Sequence, residues 1–275
     1  MAYATKQKQK EFQVNYSDLL SEILTKKGTV STCFSMFHNY SINNQFLLYW
    51  QLHCKGKQAS PCNSYERWKA LGRQVRKGEN GMYLWRPIST PMKVKDNVTG
   101  EEKTVSMLKG FKFMKGAFSF DQTDPIQGKD YKANDFKIPD FDFNKVYDFY
   151  GIKLVPFEKV NGNIQGYANT KERTLAINPV CEEPEMTILH EIAHIALKHF
   201  EADYGKDLKE LEAESVAYIV GSVLGLSETN LEHSRGYIQG WFKGNEVPEK
   251  HAKNIMSKAQ KIIELGMGKD KLKGN

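Results

Sequence analysis

His190-Glu191-Ile192-Ala193-His194 sets two imidazoles four residues apart with a carboxylate between them. On an α-helix, residues i and i+4 lie about 40° apart on one face, so both rings can reach a single metal ion. Glu191 falls beside that face, where it can take a proton from a water held at the metal. Imidazole nitrogen suits Zn²⁺, and a catalytic zinc site uses three protein ligands and keeps one position open. The residues around the motif, Ile188, Leu189, Ile192, Ile195 and Leu197, make a largely buried helix. Two histidines and a glutamate buried there are costly without a metal or equivalent partners. A chance match on an ordinary amphipathic helix is the alternative, and the apolar surroundings weigh against it.

A third ligand is needed. The pattern HExxHxxGxxH is excluded, because Leu197 stands at the glycine position and Phe200 at the last histidine position. His199, five residues after His194, points elsewhere if the helix stays straight. The next helical segment reads Lys209-Glu210-Leu211-Glu212-Ala213-Glu214-Ser215. Glu210 and Glu214 share one face, whereas Glu212 lies about 200° from Glu210. In a gluzincin-type arrangement a glutamate comes from the following helix and an acid four positions on orients a histidine. That makes Glu210 the ligand and Glu214 the partner of an imidazole. Glu214 as the ligand, or both acids as solvated helix charges, are the alternatives.

The elements that must hold these residues follow from periodicity. Two long helices are expected over 183–200 and 206–224, with a basic helix at 251–265. A short helix at 143–150, a strand at 153–157 and two strands flanking 169–173 precede them. The first half reads differently. A helix opens with Ser17 as N-cap and ends at Gly28. Residues 34–52, interrupted by Asn39, Asn43 and Asn44, form one or two helices, the second opening near Ser41. A short helix over 65–71 stops at Gly72. A strand over 81–87 ends at Pro87, a hairpin at 92–107 turns at 97–100, and a further strand covers 111–120. The fold class is α+β. Residues 1–125 form a domain of helices plus a small antiparallel sheet, 126–142 a polar linker with two prolines, and 143–275 a second domain with an unassigned C-terminal helical tail.

At 275 residues and 31.5 kDa the chain suits two modest domains. It holds no apolar run of the ~18–20 residues that a membrane span needs, and no secretory leader, so a cytoplasmic protein with no membrane partner is expected. Cys33, Cys54, Cys62 and Cys181 include no CxxC pair and read as free thiols rather than a zinc ribbon. The net charge is +6, distributed unevenly. Residues 1–125 carry 19 Lys and Arg against 10 Asp and Glu, and the remainder 20 against 23. Of the 32 aromatic residues, 24 lie within 1–150. A basic, aromatic-rich half is what a single-stranded nucleic acid requires, since phosphates follow a positive groove and bases stack on aromatic faces. Arg73, Arg76, Lys77 and Trp85 are the candidate contacts.

HEIAH followed by ELEAESVAYIV resembles the ImmA/IrrE family of bacterial zinc metallopeptidases, in which an ExxA motif supplies the third ligand. NTKERTLAINP is similar to the strand pair that those domains place before the active-site helix. Upstream, HNYSINNQFLLYWQ, YERWKALGRQVRKGENGMYLWRP and FSFDQTD resemble the N-terminal single-stranded-DNA-binding domain of ArdC-like antirestriction proteins, which have this same domain order. The resemblance covers about residues 10–225. It implies a zincin-like second domain, Zn²⁺ on His190, His194 and Glu210, and Glu191 as catalytic base of a metalloendopeptidase of unnamed peptide substrate. It also implies single-stranded DNA as partner and a role, on a mobile element, in protecting incoming DNA from restriction. Two other readings stand beside it: a regulatory peptidase that cleaves a repressor, and a non-enzymatic DNA-coating protein with a vestigial or structural zinc site.

Overall fold

The computed structural model describes residues 14–95, 101–129, 131, 137–159 and 164–268. Helix α1 (Tyr16–Leu24) is capped by Asn15, whose side chain accepts the N–H groups of Ser17 and Asp18 at 3.0 and 3.3 Å. Ser17 was the expected cap. It instead lies inside the helix, and its hydroxyl accepts the Val247 N–H at 3.0 Å. The asparagine-rich stretch breaks into α2 (Thr29–Phe37) and α3 (Ile42–His53).

Helix α4 (Tyr65–Ala70) leads into two small sheets. Strand β2 (Arg73–Val75) pairs antiparallel with β5 (Thr123–Pro125). Strands β3 (Met82–Lys95) and β4 (Glu102–Ser119) form a long hairpin, with β1 (Cys62–Asn63) beside the end of β4. Pro87 does not end β3 as the sequence suggested; the strand continues through Pro87 and Pro91. The sheet order is β1-β4-β3, so β3 is an edge, where a missing N–H costs no ladder bond. The expected turn at 97–100 lies outside the described residues.

Where the β3 edge meets α3, two side-chain amides replace the absent strand. Asn44 donates to the Trp85 carbonyl and accepts its N–H, both at 2.9 Å. Gln51, two helical turns on, does the same for Tyr83 at 2.9 and 2.8 Å.

In the second half, α5 (Phe143–Tyr150) precedes a sheet of order β6-β8-β7. Strand β8 (Thr174–Ile177) lies parallel to β6 (Lys153–Leu154) and antiparallel to β7 (Gly166–Asn169). The helices that follow are α6 (Pro184–Ala196), α7 (Lys206–Leu224), α8 (Glu228–Phe242) and α9 (Glu249–Met267). Helices α6 and α7 pack closely. At Gly221 an added Cβ would lie 2.7 Å from the Met186 sulfur.

The C-terminal helices, of which the sequence placed only the basic one at 251–265 and gave it no role, join the two halves. Helix α9 packs on α1, α3, α5 and α7, while α8 packs on α1 and α7. Gln260 of α9 accepts the first N–H of α3, from Ile42, at 2.7 Å. Ile255, Ile262 and Ile263 of α9 are fully buried, each contributing about 1.5–3 kcal/mol of transfer free energy. One hydrophobic cluster consequently runs from Tyr16 to Met267. Among the described residues no helix is long and apolar enough to cross a membrane.

Candidate metal centre

Pro184 starts α6 at a position where its missing N–H is harmless, and the helix buries Leu189, Ile192 and Ala193 against α7 and the sheet. This packing turns His190 and His194 toward α7. Their Nε2 atoms lie 3.0 Å apart, and Glu210 Oε2 lies 3.5 Å from the first and 3.6 Å from the second. Donor atoms about 2.0–2.1 Å from a tetrahedral ion lie about 3.3 Å from one another, so the triangle fits a divalent metal. His190, His194 and Glu210 form the group of metal-ligating type that stands out among the described residues. Two imidazoles and one carboxylate match the donor set of zinc sites that keep an open position. The side chains are 19%, 15% and 31% exposed, so the centre is reached from solvent.

Glu214 lies one turn on, its carboxylate 3.2 Å from His190 Nδ1 and hydrogen-bonded to Ser234 of α8. The structure thus brings together the two histidines, Glu210 and Glu214 in the arrangement read from the sequence. Burial works against a charged His190, but the Glu210 and Glu214 carboxylates outweigh it and raise the imidazole to about 10. The two histidines in turn hold the Glu210 carboxyl far below its usual range. Glu191 sits beside the triangle and receives a backbone N–H from Ala168 of β7; its burial pushes the carboxyl up, against the pull of His190 and His194.

His199 does not point away. Helix α6 ends at Ala196, Lys198 adopts a left-handed φ of 59°, and the turn returns the His199 ring to His194, Nδ1 to Nδ1 at 2.8 Å. Behind it lies Glu212, fully buried, which accepts from His199 Nε2 at 3.1 Å, from the Tyr204 hydroxyl, and from His251 Nδ1 of α9 at 3.1 Å. Burial alone would raise the Glu212 carboxyl, but the three donors more than offset it and hold it low. Sequence reasoning set His199 and Glu212 aside as pointing away from the site and did not single out Tyr204 or His251. The usable signal was a histidine five positions past the motif, in a polar break between helices, together with a glutamate on the opposite face of α7 from Glu210.

The nucleic-acid candidates fare unevenly. Arg73 is a correction: it is 8% exposed, bonds Thr123 through Nε at 2.7 Å and Nη2 at 2.8 Å, and stacks 3.8 Å over the Phe120 ring. Its guanidinium holds β2 to β5. Arg76 is at the surface but tied to Asp124 and Glu79 at 3.1 and 3.0 Å. Lys77 is exposed. Trp85 is half-buried, its ring 4.9 Å from Phe113 and its indole N–H bonded to the Tyr16 hydroxyl at 2.6 Å. Tyr83 stacks on the same Phe113, at 5.1 Å. A cleft of about 590 Å³ beside this face is lined by Tyr40, Arg67, Trp85, Arg86 and Phe111 among others.

Residues 22–119 match the family model for the N-terminal domain of anti-restriction factor ArdC. The chain is ArdC-like. Its fold is shared by two crystal structures of the antirestriction protein ArdC from plasmid R388. The metal-free form is 21% identical with a TM-score of 0.50, over 92% of this chain and 96% of that one. The Mn(II)-bound form is 17% identical with a TM-score of 0.51, over 92% and 97%. No curated protein matches the sequence. In this ArdC-like chain the matched segment carries the β3–β4 hairpin and its aromatic face, while the histidine–glutamate triangle lies outside it, on α6 and α7.

Proposed function

We propose that this ArdC-like protein is an antirestriction factor joining a single-stranded-DNA-binding surface to a zinc-dependent endopeptidase site. The observation that carries the second part is the triangle of His190 Nε2, His194 Nε2 and Glu210 Oε2 with the Glu191 carboxylate beside it. The Mn(II) form of the R388 protein supports a divalent ion at this centre. When bound, such an ion supplies Lewis-acid polarisation of a carbonyl and lowers the pKa of water.

The chain's own residues supply the rest. A carboxyl raised by burial suits general-base work near neutral pH, so Glu191 takes the proton of the attacking water and passes it to the departing amine nitrogen. Glu214 holds His190 by its Nδ1 and keeps that ring aimed at Glu210. Strand β7 is the edge of its sheet and packs against α6, so its backbone suits an extended peptide laid along it.

For the DNA surface, the Tyr83–Phe113–Trp85 face and the cleft with Arg67 and Arg86 replace Arg73 as the centre of the reading. Lys77, Lys112 and Lys115 add exposed positive charge. The test is paired. The zinc-loaded chain is incubated with a broad peptide library, and its single-stranded-DNA affinity is followed against salt. Cleavage that disappears in Glu191→Gln, with DNA binding kept, supports the reading. A zinc-loaded wild-type chain that cuts nothing in the library contradicts the peptidase half.

A further inference from the structure

The His199–Glu212 pair behind the metal centre has an order of protons that can be worked out atom by atom. Glu212 is fully buried, and its ionised carboxylate can only accept. His199 Nε2, at 3.1 Å, must therefore carry a hydrogen and donate it. In a neutral imidazole the other nitrogen is then a lone pair, so His199 Nδ1 is an acceptor. His194 Nδ1 lies 2.8 Å away and must be the donor across that contact. With its hydrogen on Nδ1, His194 has its lone pair on Nε2, the atom that faces His190 Nε2 at 3.0 Å and Glu210 Oε2 at 3.6 Å.

We propose that His199 is a positioning residue: buried Glu212 sets its tautomer, and it sets the tautomer of His194, so that the His194 Nε2 lone pair is presented to the metal. The order is fixed from two further sides. The Tyr204 hydroxyl and His251 Nδ1 also donate to Glu212, so the carboxylate cannot swing away from His199. His251 belongs to α9, the helix packed on α1 and α3, so the relay is anchored in the core common to both halves. A free histidine side chain slightly favours a hydrogen on Nε2, the opposite of the state assigned to His194, and turns about its bonds; here both rings at the helix end are each held in one state before a metal arrives. The Glu214 carboxylate lies 3.2 Å from His190 Nδ1, on the opposite side of the centre.

The inference rests on the metal-site reading, and the experiment separates the two. The full-length chain, stripped of metal and labelled with ¹⁵N, is studied by long-range ¹⁵N–¹H correlation of its imidazoles, and the affinity for zinc ions alone is measured against a competing chelator. The expected spectrum has His199 protonated on Nε2 and His194 on Nδ1. His199→Phe should release the His194 preference and weaken zinc binding about 10–100-fold. His199→Asn, whose side-chain oxygen lies near the place of Nδ1, should recover most of that loss. A His199 protonated on Nδ1 in the wild type, or a folded His199→Phe that binds zinc as tightly as the wild type, would overturn the proposal. If His199→Phe does not fold, the wild-type spectrum and the Asn variant decide it. A wild-type chain with the expected tautomers but no affinity for zinc would instead contradict the metal-site reading and leave the hydrogen-bond order standing.

Discussion

Asn44→Leu tests the way α3 holds the β3 edge. Leucine has the same branched shape with bulkier ends, so no cavity opens; the two 2.9 Å hydrogen bonds with the Trp85 backbone are lost, and the methyls crowd the groups they bonded. The freed N–H and C=O lie against α3, where Asn44 itself is 8% exposed and water enters poorly. An unsatisfied buried polar group costs about 1–3 kcal/mol, which gives about 2–4 kcal/mol for the pair once partial hydration is allowed. Gln51→Leu should cost about the same through Tyr83. The two clamps grip one strand two residues apart, so the double variant should lose less than the sum of the single losses. Urea unfolding followed by tryptophan fluorescence measures all three. Single variants within about 0.5 kcal/mol of the wild type, the range of ordinary surface changes, would refute the clamp.

Ile263→Ala, in the fully buried stripe of α9, should cost about 2–5 kcal/mol and lower the stability of both halves in one transition, as read by probes placed in each half. Gly166→Ala would put a Cβ 2.7 Å from Thr187 and 3.1 Å from the Ala176 carbonyl, forcing β7 away from α6. It should cost about 1–3 kcal/mol and, because Ala168 of β7 contacts Glu191, slow peptide cleavage more than it weakens metal binding, in kinetics and metal titration run side by side. Glu191→Gln should keep the full metal content by elemental analysis, and the metal-induced rise in melting temperature, while cleavage falls about 10²–10⁴-fold.

What the sequence made legible was whatever a single periodicity encodes. Helix α7 holds good helix formers without a proline and runs almost wholly apolar from Val216 to its stop at Gly225, so its span 206–224 agrees with the structure, and the i, i+4 rule brought His190, His194, Glu210 and Glu214 to one place. Features that depend on a partner far along the chain were hidden. Asn44 read as an interruption of an apolar segment, and Gln51 was not singled out, because the strand they serve lies more than 30 residues away. Arg73 read as part of a basic run, whereas β5, fifty residues on, supplies the Thr123 atoms that bury it. Pro87 read as a strand end because an edge position cannot be told from a central one by composition. Helix α8 buries only Leu231, Ser234 and Ile238 and contains two glycines, so it carries too weak a stripe to be seen. His199 was misplaced because the left-handed turn at Lys198 has no glycine to announce it.

The metal centre is tested most directly by anomalous diffraction at the zinc edge from crystals of the full chain grown with zinc. One strong peak per chain is expected, within bonding distance of His190 Nε2, His194 Nε2 and a Glu210 oxygen, with the Glu214 carboxylate still beside His190 Nδ1. A peak bonded to Glu214 in place of Glu210, or no peak between the two histidines, would contradict it.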